Sequence, residues 1–134
     1  MTTEIDIDPS KTYVIDTYAW YEYFTGSDIG IRIKDFIEKG DLITPSIVVA
    51  EIVNKFTREG KPYAEFVQFL KLRSEIVSVD SEVAEEAGNL RTRFSKNKIS
   101  MADAIIMAVA KIRNLKIVSG DEHFRDLKNV IMVK

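Results

Sequence analysis

Cysteine is missing altogether from the 134 residues. That excludes disulfides, a zinc ribbon and any cysteine-ligated cluster, and it fits a reducing cytoplasm. Long apolar runs are missing too. The longest, "AIIMAVA" at 104–110, falls far short of the roughly 20 residues that span a bilayer. The opening "MTTEIDIDPSK" is polar and acidic, unlike a secretory signal. Charge of one sign is not in excess: 19 Lys and Arg stand against 21 Asp and Glu, a net charge of −2. The whole molecule therefore exerts no general attraction on a polyanion, and any nucleic acid needs a local basic patch or a cation. There is no P-loop and no G-x-G-x-x-G stretch to cradle a nucleotide. No repeat, low-complexity tract or break in composition divides the chain. One domain over 1–134 is expected, with 1–11 as a flexible arm, and a chain of this size buries about two-thirds of its unfolded surface.

What is present is a regular alternation of short apolar strands and helices. "TYVID" (12–16), "DLITP" (41–45), "EIVSVD" (75–80), "KIVSGD" (116–121) and "NVIMV" (129–133) read as strands. Helices are expected at 17–24, 28–40, 46–60, 62–72, 81–98 and 100–114, with Thr44 capping the third and Pro45 in its first turn. Strand–helix alternation predicts a three-layer α/β sandwich around a parallel sheet of about five strands. The run "YVI" fits a strand covered on both faces.

Four acids fall at strand ends or early in helices. Asp16 closes the first strand, Asp121 closes "KIVSGD", Glu51 lies about two turns into its helix, and Asp103 lies in the first turn of the Ala-rich helix. In open parallel sheets such positions gather at one edge. Each also has a purely structural reading. Asp16 suits a helix cap. Asp121 follows Gly120 in a turn. Glu51 shares a polar helix face with Asn54, Lys55 and Arg58. "SMAD" resembles a capping box from Ser100 to Asp103. A cap alone does not explain why Ile106, Met107 and Ala110 surround Asp103 on the helical wheel, because isolated buried charge is costly.

Four stretches together resemble the PIN-domain ribonucleases: "VIDTYAW", "PSIVVAEIVNKF", "SMADAIIMAVA" and "IVSGDEHF". The likeness spans roughly 12–134, and the compact length is similar to that of the VapC-type toxins of toxin–antitoxin pairs. The resemblance implies that Asp16, Glu51, Asp103 and Asp121 form an acidic cluster. Ser119 matches the family's small hydroxyl residue, and Thr17 its residue after the first aspartate. Asp126 either positions water or lies on the surface. The implied activity is endonucleolytic hydrolysis of RNA leaving a 5′-phosphate, with Mg²⁺ or Mn²⁺ held by Asp16, Asp103 and Asp121. Glu51 then ligates or orients water.

His123 is the only histidine, which leaves no histidine-based acid–base pair, and it is expected to pack or hydrogen-bond near the last strand. Arg91, Arg93, Lys96 and Lys98 are candidate RNA contacts, with Lys55 and Arg58 as additions; the alternative is a solvated helix end. Tyr18, Trp20, Tyr21, Tyr23 and Phe24 recur at helical spacing. They belong in a core or an interface, or dock an amphipathic antitoxin helix. The resemblance further implies a protein antitoxin, a homodimer and a cytoplasmic location. Two other readings stand beside the toxin: a housekeeping RNA-processing nuclease, and a non-catalytic α/β interaction module whose acids are caps and ion pairs.

Overall fold

The computed structural model describes residues 7–134. Among them five strands and six α-helices alternate: β1 (Thr12–Ile15), α1 (Thr17–Thr25), α2 (Asp28–Lys39), β2 (Asp41–Pro45), α3 (Ser46–Arg58), α4 (Ala64–Arg73), β3 (Glu75–Val77), α5 (Ser81–Arg93), α6 (Met101–Arg113), β4 (Lys116–Ser119) and β5 (Val130–Met132). The strands form one all-parallel sheet in the order β3-β2-β1-β4-β5. Helices flank it as a three-layer sandwich, as the alternation predicts. β1 is central. Val14 pairs with Ile43 on one side and Ile117 on the other, and Tyr13, Val14 and Ile15 are buried, which is why this strand is apolar without alternation.

The strand order reverses between β1 and β4. The chain builds outward from β1 to β3, then returns through α5 and α6 to the other side of β1. Two neighbouring strands whose following connections depart in opposite directions leave a crevice at their carboxyl ends. Asp16 and Asp121 are the residues that leave those ends.

Two local expectations are corrected. Thr44 does not cap α3. It is a fully buried residue of β2, whose hydroxyl accepts from the Trp20 indole N–H at 3.0 Å and pairs with Ser74 Oγ at 2.8 Å. Pro45 still pairs with Val77, and α3 starts at Ser46 without a side-chain cap. The helix expected over 81–98 ends at Arg93. A 3-10 turn at Ser95–Asn97 and a left-handed Lys98 (φ 58°) follow. This reversal buries Ile99 and sets Ser100 to start α6. Of the expected arm, residues 8–11 make a turn in which Asp8 accepts from the Ser10 N–H (2.9 Å) and hydroxyl (2.7 Å); 1–6 lie outside the described residues.

Trp20, Tyr21, Tyr23 and Phe24 of α1 pack as expected of a core, whereas Tyr18 does not join it. Trp20 is fully buried and stacks on Phe24 at 5.4 Å, and Phe24 meets Phe66 at 4.9 Å. Phe56 and Phe66 stack nearly parallel. The rim of this cluster, Tyr23, Phe24, Phe66 and Phe69, lines a groove of about 550 Å³ that also takes in the exposed Ile31.

Candidate metal and nuclease site

Three of the four acids are placed by a backbone bond that their own element needs. Asp16 is the N-cap of α1, and its Oδ1 accepts from the Ala19 N–H at 2.9 Å. Asp103 completes a capping box: Ser100 Oγ accepts from the Asp103 N–H and Asp103 Oδ2 from the Ser100 N–H, both at 3.0 Å. Asp121 caps the 3-10 turn Glu122–Phe124, accepting from the His123 N–H at 2.9 Å, while the fully buried Phe124 anchors that turn. Glu51, in the second turn of α3, accepts from the Thr17 hydroxyl at 2.5 Å. Ser119 is fully buried at the end of β4; its hydroxyl accepts from the Asp121 N–H at 2.9 Å and hydrogen-bonds Asp16. Gly120 is needed next to it, because a Cβ there would lie 2.2 Å from the Tyr18 ring.

Asp16, Glu51, Asp103 and Asp121 line one cleft of about 340 Å³, together with Thr17, Tyr18, Tyr21, Glu22, Asn54, Lys55, Arg58 and Ile106. Asp16 is 2 % exposed and Asp103 8 %. Burial pushes the Asp16 carboxyl up to about 7; its hydrogen bonds to Ser119 and Ala19 oppose this, and the Asp121 and Asp103 charges add to it. Burial also raises Glu51, against its bond from Thr17 and with the charges of Asp103 and Asp121. Carboxylates held this way repel each other, and a divalent cation is the group that relieves them. The donors are hard oxygens, which suit Mg²⁺ or Mn²⁺. The residues present therefore fit such an ion.

The capping readings and the clustering are both true of Asp16, Asp103 and Asp121. Sequence reasoning underrated His123, whose Nδ1 stands 3.5 Å from both Asp103 Oδ2 and Asp121 Oδ1. Its place two residues after Asp121 was the available signal. Tyr18 and Glu22 also line the cleft; their shared four-residue spacing on α1 was the sign that they face one way. Of the basic residues, Lys55 and Arg58 border the acids, one and two turns beyond Glu51 on α3. Arg91, Arg93, Lys96 and Lys98 do not line the cleft. They sit on the last turn of α5 and the reversal after it, and Arg93 borders a separate hollow with Met107, Lys111 and Asn114. Asp126 is an exposed turn residue with φ 70°, also away from the cleft.

The PIN domain family model matches residues 13–130. No curated protein matches the chain. Among solved structures, a toxin–antitoxin complex from Klebsiella pneumoniae is 18% identical, with a TM-score of 0.72 over 91% of this chain and 98% of that one. VapC20 of Mycobacterium tuberculosis, described as a sarcin-ricin loop cleaving toxin, is 17% identical, with a TM-score of 0.73 over the same shares. VapBC2 from Rickettsia felis, bound to a DNA fragment from its promoter, is 21% identical, with a TM-score of 0.66 over 91% of this chain and 97% of that one.

Proposed function

The chain belongs to the PIN-domain family, and from that premise we propose that it is a divalent-metal-dependent endoribonuclease and the toxin of a toxin–antitoxin pair. The observation that carries this is the convergence of Asp16, Glu51, Asp103 and Asp121 on one cleft at the switch point of the sheet, two of them buried. Caps on an interaction module need not converge, and they need not keep a carboxyl as deeply buried as Asp16.

Asp16, Asp103 and Asp121 would hold the cation. When bound, it offsets charge on the attacked phosphate and makes water a usable nucleophile near neutral pH. Ser119 fixes the Asp16 carboxylate. Glu51, held by Thr17, accepts a proton from the attacking water or orients it. Lys55 and Arg58 give the cleft a positive wall for the flanking phosphates, and Asn54 adds an amide. Arg91, Arg93, Lys96 and Lys98 would serve a longer RNA beyond the cleft. Cleavage leaves a 5′-phosphate and passes through no covalent enzyme intermediate.

The toxin reading is favoured over housekeeping RNA processing by the solved neighbours, which include toxin–antitoxin complexes and a sarcin-ricin loop cleaving toxin alike in fold over 91% of this chain. An antitoxin helix would seat its apolar face in the aromatic groove between Phe24, Ile31 and Phe69, and a homodimer acting in the cytoplasm completes the proposal. No helix among the described residues is long and apolar enough to cross a membrane.

The test is incubation with a pool of structured and single-stranded RNAs, in Mg²⁺ or Mn²⁺ and in EDTA, followed by analysis of the new ends. Cleavage that needs the cation and leaves 5′-phosphates is expected. Cleavage that survives EDTA, or leaves 2′,3′-cyclic phosphates, would refute the mechanism.

A further inference from the structure

His123 is presented to the acids by three features of its short segment. Phe124 is fully buried and fixes the 3-10 turn. Asp121 Oδ1 takes the His123 backbone N–H at 2.9 Å, which sets where the imidazole starts. Nδ1 then faces the two carboxylates, 3.5 Å from Asp103 Oδ2 and 3.5 Å from Asp121 Oδ1. Within this group of three residues, one donor atom from each lies within 4.8 Å of the other two. A group so spaced could hold one metal ion.

Resting on the nuclease reading above, we infer that His123 is a nitrogen ligand of this site, and that the site therefore selects a first-row transition cation such as Mn²⁺ over Mg²⁺. The chemistry follows from the donor. Mg²⁺ takes oxygen ligands, holds its own waters tightly and gains little from imidazole. Mn²⁺ also favours oxygen but gives up a water to a nitrogen donor more readily than Mg²⁺, and the later transition cations bind imidazole better still. An all-carboxylate site would discriminate weakly between the two. One imidazole changes that without adding negative charge to a pocket already crowded with it. The alternative role for His123 is a surface contact that merely neighbours Asp103 and Asp121. The imidazole is 46% exposed, and an exposed contact of that kind contributes little to stability.

The full chain, stripped of metal, is titrated with Mn²⁺ and with Mg²⁺ by calorimetry, and the Mn²⁺ form is examined by pulsed electron paramagnetic resonance. The wild type should show nitrogen modulation from a coordinated imidazole. His123→Ala should lose that signal and at least about tenfold in Mn²⁺ affinity, the lower end of what losing even an outer partner of a metal ligand costs, with Mg²⁺ affinity unchanged. His123→Asn, which offers an oxygen in place of the nitrogen, should also lose the signal while still binding both ions. Both variants should keep the wild-type melting temperature in EDTA, because the side chain is half exposed. Mn²⁺ binding with no nitrogen modulation, and with equal affinity in His123→Ala, would overturn this inference and leave the nuclease reading standing. Binding of neither ion by the wild type would overturn both.

Discussion

Asp16 shows at the scale of one residue how a side chain serves fold and site together. It caps α1, it is buried beneath Ser119, and it faces two other carboxylates. The sequence made its position at a strand end legible, and also its capping chemistry. It did not reveal the degree of burial, because that depends on α6 and β4 closing over it from distant parts of the chain. Raising the pKa from 3.8 to about 7 means that the native state holds a proton the unfolded state has released. The stabilisation from this group is thus complete below about pH 4 and is lost as pH rises through about 7. In EDTA, wild type should therefore lose melting temperature relative to Asp16→Asn between those limits, since the amide mimics the neutral acid and has no proton to release. Glu51, also raised, adds a loss of the same sign in both proteins. Addition of Mn²⁺ should remove the relative loss in the wild type alone. A temperature difference between the two proteins that stays flat with pH in EDTA would show that Asp16 is not held as this geometry requires.

At the scale of elements, the helix starts aim the chemistry. Three of the four acids belong to a cap or its first turn, so a bond that satisfies an exposed helical N–H also orients a carboxylate. Ser100→Ala should cost about 1 kcal/mol of stability, as other lost N-caps do. It should also lower RNA cleavage below what the thermal shift explains, because the Asp103 N–H would lose its Ser100 Oγ acceptor and the turn that aims the carboxylate would loosen, even though the Ser100 N–H still donates to Oδ2; Ser100→Thr should restore both. Unchanged cleavage by a destabilised Ser100→Ala would separate the cap from the site. All five strands were readable from β-branched and aromatic runs, since the sheet is covered on both faces. What local pattern did not show was the break of α5 after Arg93 and the place of Thr44. The first is a reversal required by where α6 must start. The second is a hydroxyl claimed by Trp20 and Ser74, residues that are remote in sequence.

For the whole molecule, strand order decides where function lies. Strand–helix alternation announced a parallel sheet, but only the order β3-β2-β1-β4-β5 sets Asp16 beside Asp121. The same assembly separates two basic groups that looked equivalent in sequence. Lys55 and Arg58 border the acids and the α5 group does not. With a net charge of −2, RNA affinity should depend on local cations, so the double variant Lys55→Ala/Arg58→Ala should weaken binding of a single-stranded RNA. It should also shallow the log–log salt dependence by about one unit, the loss expected for one to two phosphate contacts. The double variant Arg93→Ala/Lys96→Ala should change binding less for a short RNA than for a long one. Equal effects at both lengths would place the α5 group in the cleft path.

The central claim is that the converging acids hold the cation that makes this chain a ribonuclease, and Asp103→Asn tests it most directly. The amide keeps the shape and can still accept from the Ser100 N–H, so the fold should be retained. Wild type and variant are compared in parallel on the same RNA pool with Mn²⁺ or Mg²⁺, after identical purification. The account predicts a loss of about 10²–10³-fold in cleavage rate, the scale on which removing one preorganised electrostatic group slows an enzyme, with a melting temperature in EDTA close to that of the wild type. Equal cleavage by the two proteins would contradict it.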